Sequence, residues 1–171
     1  KYAYVSIQEN NALAIVNLQD NSLELKGLGF KEWSSLQLDA SDKDGGVNFK
    51  SYPGLYGMYQ PDTISSFSWK GANFIVTANE GDAREYFFDT TDEADCIANY
   101  DEDDGCLAYI DESRVEDLTL AANFDYLNND DNDIGRLKVT TIKGDTNNDG
   151  QYESLYAYGA RSFTIWDSNG L

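Results

Sequence analysis

Oxygen-bearing side chains occur at alternate positions in one short segment, where Asp145, Asn147 and Asp149 are followed directly by Gly150. A hard divalent cation takes about six to eight oxygen ligands, and a chain that curls around the ion can offer a side chain at every second residue. A glycine tolerates the tight turn that such a loop requires. The spacing therefore predicts a calcium site.

Two further ligands complete the predicted set: the backbone carbonyl of Gln151 and the side chain of Glu153, the ninth residue of the loop. An EF-hand would need a glutamate at the twelfth position between two helices, but that residue is Tyr156. The flanking runs are rich in β-branched or alternating apolar residues, which places the loop in a β-hairpin. The alternative is an ordinary polar turn of the same residue types without a metal.

Charge and composition restrict the possible partners. The chain has 31 acidic and 12 basic residues, a net charge of −19, with 41% hydrophobic and 13% aromatic residues. The apolar share suffices for a core, while the negative charge opposes nucleic acid and anionic lipid and favours cations or basic partners. No apolar run is long enough to span a membrane, so we expect no transmembrane segment in this chain.

The sequence contains no histidine. This absence removes the commonest general base near neutral pH and excludes a Ser-His-Asp triad within the chain. Any hydrolysis would therefore be assisted by a metal, with Arg84 or Arg161 stabilising charge on a transferred phosphoryl group.

The two cysteines, Cys96 and Cys106, are separated by a short acidic stretch. A disulfide is the natural pairing, and it would contribute about 2–3 kcal/mol through loop closure and imply an oxidising compartment. The alternative is a pair of free thiols in a cytosolic protein.

Strand-turn-strand units recur along the chain, with almost no helical periodicity. The predicted strands are residues 2–8, 12–18 and 22–26 of an antiparallel meander, 63–69 and 74–78 of a hairpin, and 163–167 at the end of a third unit over 137–167. Small antiparallel sheets at this spacing predict an all-β fold of four-stranded β-propeller blades, with a β-sandwich as the competitor. Because a closed ring needs about four blades or more, we expect residues 1–171 to be a single domain that forms part of a larger propeller.

Residues 82–133 hold 18 of the 31 acidic residues and only two bases, a charge of −16. We interpret this segment as a long acidic loop insertion that contains the expected disulfide. Such a high density of negative charge must be solvated or neutralised by cations. A solvated surface and weak calcium binding explain the composition of this segment equally well. A second loop, residues 38–46, has three aspartates before paired glycines, but their irregular spacing favours a plain turn.

Several charged residues lie at the ends of predicted strands, where the loops of a propeller would gather on one face around the central channel. The residues expected to converge there are Asp62, Glu80, Asp82, Arg84 and Arg161. They would offer carboxylates for a metal and guanidinium groups for a phosphate or carboxylate ligand. Salt bridges that close one blade against the next are the alternative explanation.

A family resemblance is carried by residues 59–62, 76–86, 135–141, 145–153 and 161–167. Over most of the chain these segments resemble the choice-of-anchor I family. Its members are secreted or surface bacterial proteins, some labelled alkaline phosphatase, and they are similar to mesenchyme-specific cell-surface glycoproteins linked with biomineral deposition. The resemblance implies an exported, calcium-associated surface protein with a β-propeller domain.

Two functions of different classes fit these observations. The favoured hypothesis is a secreted or cell-surface calcium-binding module with a binding or structural role, whose partners are divalent cations, extracellular matrix or mineral ions. The alternative is a metal-dependent phosphoesterase of the alkaline phosphatase type, which would act on a phosphate ester with calcium. Both hypotheses place the protein at the cell surface, in the extracellular space or in the periplasm.

Overall fold

The structure is a computed structural model that describes residues 1–87 and 106–167. Within these ranges the chain is almost wholly β, which confirms the all-β prediction, and no helix there has the length and apolar character needed to span a bilayer. The strands are β1 Tyr2–Ile7, β2 Ala12–Asn17, β3 Leu23–Gly27, β4 Phe30–Glu32, β5 Leu55–Met58, β6 Thr63–Trp69, β7 Ala72–Asn79, β8 Glu85–Phe87, β9 Leu107–Ile110, β10 Glu112–Arg114, β11 Lys138–Thr140, β12 Leu155–Ala157 and β13 Ser162–Asp167. Short 3-10 helices occur at Gln8–Asn10, Val115–Asp117 and Ala122–Phe124.

Strands β1, β2 and β3 form an antiparallel sheet in sequence order, which confirms the predicted meander. Asn11 and Asn21 lie in the two connections and adopt left-handed backbone conformations, with φ of 50° and 61°. Asparagine reaches this region at a lower cost than most residues with a side chain, so its placement allows both reversals of the chain.

A second sheet has the order β13-β7-β6. The predicted hairpin is confirmed, since β6 pairs with β7 around a two-residue turn at Lys70 and Gly71. These residues have φ of 51° and 84°, as expected for a tight turn whose twist matches that of the strands. Strand β13 pairs with the other edge of β7 along its whole length.

This pairing corrects the expectation that residues 137–167 form one unit. Strands β11 and β12 belong to a different sheet from β13. The physical reason is the corner between β12 and β13, where Gly159 and Arg161 have φ of 74° and 46° and turn the chain from one sheet to the other. A Cβ at Gly159 would lie 2.0 Å from the carbonyl oxygen of Glu80, so this corner packs directly against the end of β7.

The largest sheet, of order β10-β11-β12-β5-β4, carries the core. All neighbouring strands are antiparallel except β12 and β5, which are parallel. The buried core residues are Trp33, Leu38, Tyr52, Leu55, Val115, Phe124, Ile134, Val139, Leu155 and Ala157. Most of them lie outside the strands, so this sheet depends on its long connections to exclude water.

The described part of segment 82–133 contributes to that core. Val115 and Phe124 are 0% and 3% exposed, β10 forms an edge of the largest sheet, and β9 pairs with β8 in a two-stranded sheet. The second half of the acidic segment is therefore structural and not only a solvated face. Among the described residues the sheets have three, five, three and two strands, which differs from the uniform four-stranded units expected from the sequence.

Candidate metal site and charged cleft

The predicted calcium loop lies between β11 and β12. The strand-like flanks are therefore confirmed. The two strands are short and pair in antiparallel register through Val139 and Ala157. Within the loop, Asn148 and Gly150 have φ of 60° and 86°. The glycine expected at the tight turn thus adopts a conformation that other residues reach only with strain.

Three carboxylates of this loop converge. One oxygen from each of Asp145, Asp149 and Glu153 lies within 4.8 Å of the other two. Ligand oxygens that lie about 2.3–2.6 Å from one calcium ion must lie within about 5.2 Å of each other. The three oxygens therefore satisfy the distance condition for a shared calcium ion.

Donors within the loop hold two of these carboxylates in place. Asp145 accepts hydrogen bonds from the backbone N–H groups of Asp149 at 3.2 Å and Gly150 at 2.9 Å. One oxygen of Glu153 accepts hydrogen bonds from the N–H and the hydroxyl of Thr146, both at 2.8 Å. Short-range contacts within the loop therefore fix the orientation of these two carboxylates.

Asn147 and Gln151, the other two residues expected to supply ligands, differ in their positions. The Nδ2 atom of Asn147 lies among the acids, 3.1 Å from Asp149 Oδ2 and 3.2 Å from Glu153 Oε1. Gln151 is exposed and donates its N–H to Asp149 Oδ1 at 2.9 Å. No lysine or arginine of the described ranges forms an ion pair with the loop carboxylates. Within the described ranges, the negative charge of the loop carboxylates is therefore offset by hydrogen-bond donors alone.

The second end of the loop is bonded to the body of the protein. The carbonyl of Glu153 accepts a hydrogen bond from Asn123 Nδ2 at 3.0 Å, and the N–H of Tyr152 donates to the carbonyl of Thr119 at 2.9 Å. Burial, with a smaller contribution from the charge of Asp145, raises the pKa of Tyr152. The end of the loop is therefore attached to Thr119 and Asn123, which lie outside it.

The five charged residues expected to share a ligand site are only partly brought together. Asp82 and Arg161 line one cleft of about 590 Å³, and Glu80 and Arg161 line a second depression of about 380 Å³. Arg84 lines a different cavity of about 510 Å³. Asp62 lies outside the lining of all three.

Arg84 is held by a buried acid. Asp111 is 2% exposed, and its carboxylate accepts hydrogen bonds from the backbone N–H of Arg84 at 2.8 Å and from the guanidinium at 3.1 Å. The other guanidinium nitrogen donates to the carbonyl of Glu9 at 2.7 Å and to Asn10 Oδ1 at 2.9 Å. Arg84 therefore joins the acidic segment to the turn between β1 and β2.

Tyr158 completes this buried network. Its hydroxyl lies 2.8 Å from the carbonyl oxygen of Asp111 and 2.9 Å from the carboxylate of the same residue. The pKa of Tyr158 is raised, mainly by burial. Sequence reasoning missed Asp111 because it is one aspartate among many acidic neighbours. One feature of the sequence could have indicated Asp111: the strand-like run at residues 107–110 ends directly before this residue.

Asp133 is a second buried carboxylate, 7% exposed. It accepts hydrogen bonds from Lys50 Nζ at 3.1 Å, from the Tyr52 hydroxyl at 3.3 Å and from the N–H of Asn128 at 3.1 Å. Burial, together with the charge of Asp133, raises the pKa of Tyr126 to about 12. These contacts make Asp133 a structural acid that is satisfied within the protein.

The predicted disulfide includes a residue outside the described ranges. Cys106 directly precedes β9, whereas Cys96 lies in segment 88–105. The pairing of Cys96 with Cys106 therefore stays a prediction.

The fold and the site define an all-β protein with an oxygen-lined loop between two strands of its largest sheet. Residues 1–171 match the Choice-of-anchor I domain, so the chain belongs to that family and the resemblance is confirmed. The chain is similar to the Mesenchyme-specific cell surface glycoprotein of Strongylocentrotus purpuratus, with 42% identity over 60 residues, which are 34% of this chain and 8% of that protein. The chain thus matches only a small part of that relative's length. No solved structure matches the chain.

Proposed function

We propose that this chain is part of a calcium-stabilised surface module whose role is binding or structural. The observation that carries the proposal is the approach of one oxygen from each of Asp145, Asp149 and Glu153 to within 4.8 Å of one another. Negative charges at such distances repel one another. A hard divalent ion would replace that repulsion with attraction, and an all-oxygen ligand set suits calcium.

The ion would have a structural role, because one loop supplies every proposed ligand. The carbonyl of Gln151 and, after its amide rotates, the side-chain oxygen of Asn147 would complete the set within residues 145–153. The end of that loop is bonded to Asn123 and Thr119, so ordering the loop would also strengthen contacts outside it. An ion that binds the folded loop and not the unfolded chain stabilises the folded state by mass action.

The proposed location is the cell surface, the extracellular space or the periplasm. The family is a choice-of-anchor family, and the relative's name describes a cell surface glycoprotein. Calcium sites in extracellular modules have dissociation constants of about 0.1–1 mM, which a short exposed loop can meet. The same location would permit a disulfide between Cys96 and Cys106.

We also propose that the sheets are blades of a β-propeller larger than this chain. The sheets β1-β2-β3 and β13-β7-β6 are small and antiparallel, and both expose large apolar side chains. Leu25, Trp69 and Phe163 are 62%, 58% and 70% exposed. Small sheets become stable when they pack against another layer, and neighbouring blades would provide that layer.

Dye binding tests this architecture. The 171-residue segment produced alone should bind the hydrophobic dye ANS, because its apolar sheet faces are uncovered. A longer form of the protein should bind several-fold less dye per molecule, since neighbouring blades would cover those faces. In the isolated segment, Phe163→Thr should reduce dye binding. Equal dye binding by the two forms would contradict the blade proposal.

The proposed partners are divalent cations, matrix polymers or mineral ions. The net charge of −19 favours cationic and mineral surfaces. A phosphoesterase would need an accessible ion facing arginine side chains. Arg84, one of the two arginines considered for that role, is bonded to Asp111 at 3.1 Å, which makes it less suited to a phosphoryl group.

Hydrolysis of a chromogenic phosphate ester distinguishes binding from catalysis. We expect the full-length protein to release no more product than a protein-free control, both with calcium and after chelation, because no arginine of the described ranges forms an ion pair with the loop that would hold the ion. Asp149→Ala should give the same result. Calcium-dependent turnover that falls in Arg161→Gln would overturn the preference for a binding role.

A further inference from the structure

One cleft contains a large share of the protein's positive charge. Its volume is about 590 Å³, and four bases line it: Arg114, Arg136, Lys138 and Arg161. The whole chain has only 12 basic residues against 31 acidic ones. Four carboxylates, those of Asp39, Asp42, Asp82 and Glu112, line the same cleft, so its formal charges balance, whereas the whole chain carries −19. An anion therefore meets less repulsion in this cleft than over the protein as a whole.

Two of these bases lie directly opposite each other. Arg114 of β10 and Lys138 of β11 are partners in the antiparallel register, so their side chains share one face of the sheet. Like charges in this position destabilise the pairing of two strands. Glu112 lies 2.5 Å from Lys138, but Glu116 is 3.9 Å from Arg114. Arg114 is therefore only weakly compensated.

Arg161 has an exposed side chain with no hydrogen bond or ion pair to any other described residue. Its backbone is nevertheless held firmly. Its φ is 46°, the preceding Ala160 is 0% exposed, and the carbonyl of Ala160 accepts a hydrogen bond from Lys31 Nζ at 2.9 Å. A left-handed conformation is costly for a residue other than glycine, so the corner fixes the position from which the Arg161 side chain extends at the cleft.

Arg136 is oriented by an acid that also lines the cleft. Its Nε atom donates to Asp42 at 2.7 Å, and this bond raises the pKa of Arg136 and lowers that of Asp42. Asp131 lies 3.9 Å from Nη1. No described residue accepts a hydrogen bond from Nη2, so this nitrogen can donate to a ligand.

Acids also line the cleft, and they differ in whether they form ion pairs with the bases. Glu112 and Asp42 are paired with Lys138 and Arg136, whereas Asp82 and Asp39 form no ion pair with a described residue. Carboxylates beside guanidinium groups can accept hydrogen bonds from hydroxyl groups. The lining therefore suits a ligand that combines an anionic group with hydroxyl donors.

We propose that this cleft binds the carboxylate or sulfate group of an acidic saccharide, with Arg161 and Arg114 as the main contacts. A guanidinium binds paired oxygens of such a group through two parallel N–H donors. Hydroxyl groups of the sugar donate to Asp82. The cleft volume of about 590 Å³ is within the range of small-molecule sites. The inference rests on the proposed binding role of the chain and uses no property of the calcium loop.

Calorimetry with defined tetrasaccharides tests the inference. The full-length protein, in calcium, is titrated with tetragalacturonate, with a carrageenan tetrasaccharide that carries sulfate, and with neutral maltotetraose. We expect at least one acidic tetrasaccharide to bind and maltotetraose not to bind. The acidic compound that binds identifies the anionic group.

Variants locate the contact. Arg161→Gln and Arg114→Gln should each weaken the affinity by about 10-fold or more, because each loses charge-assisted hydrogen bonds. Lys70→Gln removes the same charge at the turn between β6 and β7, outside the cleft, and should change the affinity by less than about 2-fold. Absence of binding, equal binding of maltotetraose, or equal losses in Arg161→Gln and Lys70→Gln would overturn the proposal.

Failure of this inference is distinguishable from failure of calcium binding. Asp149→Ala should remove the effect of calcium on thermal stability and leave the saccharide affinity unchanged. Arg161→Gln should keep the calcium effect and lose saccharide affinity. A protein that binds the saccharide but does not respond to calcium would contradict the proposed calcium loop alone.

Discussion

Replacing Asp111 with alanine is expected to destabilise the protein by about 3–5 kcal/mol, the cost of removing one partner of a buried ion pair. The guanidinium of Arg84 lies 3.1 Å from Asp111, and the two side chains are only 21% and 3% exposed. The substitution leaves the positive charge of Arg84 partly buried without its carboxylate. It also removes the acceptor for the N–H of Arg84 at 2.8 Å. Urea unfolding of the full-length protein measures the loss.

Asp42→Ala is the matched control for this prediction. It removes a carboxylate that pairs with Arg136, but the side chain of Asp42 is 68% exposed, and exposed ion pairs contribute little to stability. Its unfolding midpoint should stay close to that of the parent. Asp111→Asn keeps a polar acceptor and should lie between the two alanine variants. If Asp111→Ala and Asp42→Ala unfold at the same urea concentration, the buried pair of Arg84 and Asp111 does not contribute the predicted stability.

Asp149→Ala should lower thermal stability in calcium much more than after chelation. At a calcium concentration of about 100 times the dissociation constant, an occupied site adds about 2.7 kcal/mol to the folded state. For a domain of about 150–250 residues this corresponds to roughly 5–10 °C in melting temperature. The variant also loses the acceptor for the N–H of Gln151, so a small difference should persist without calcium. Melting curves over a calcium series and in EGTA measure both parts.

Asp125→Ala serves as the control, because it removes one negative charge from an exposed residue outside the loop. Its melting temperature should differ from that of the parent by the same amount with and without calcium. Magnesium should stabilise the parent less than calcium does, since the smaller ion requires a stricter octahedral geometry. Equal melting of Asp149→Ala and the parent in calcium would count against a site in this loop.

Local sequence patterns were sufficient for several elements. The meander of β1, β2 and β3 follows from alternating runs separated by turns at Asn11 and Asn21. The hairpin of β6 and β7 follows from the turn at Lys70 and Gly71. These elements could be predicted because their hydrogen-bond partners are near neighbours along the chain, so the cost of closing the connection is small.

Pairing between distant strands could not be predicted in the same way. Alternation shows which side chains share a face, but it does not say which of several free strand edges a strand will join. Strand β13 joins β7, and β12 joins β5 in parallel, although other edges are nearer along the chain. The left-handed corner at Gly159 and Arg161 directs the chain, and its close packing against Glu80 is visible only in three dimensions.

The sequence by itself determined the type and order of the oxygen donors between Asp145 and Glu153, since all of them lie within one short loop. Only the tertiary structure decided that Arg84 pairs with Asp111, 27 residues away, and that the bases at 114, 136, 138 and 161 line one cleft. The reason is physical. In a chain with 31 acids, many carboxylates could pair with a given arginine, and burial, which depends on how the sheets pack, selects the partner.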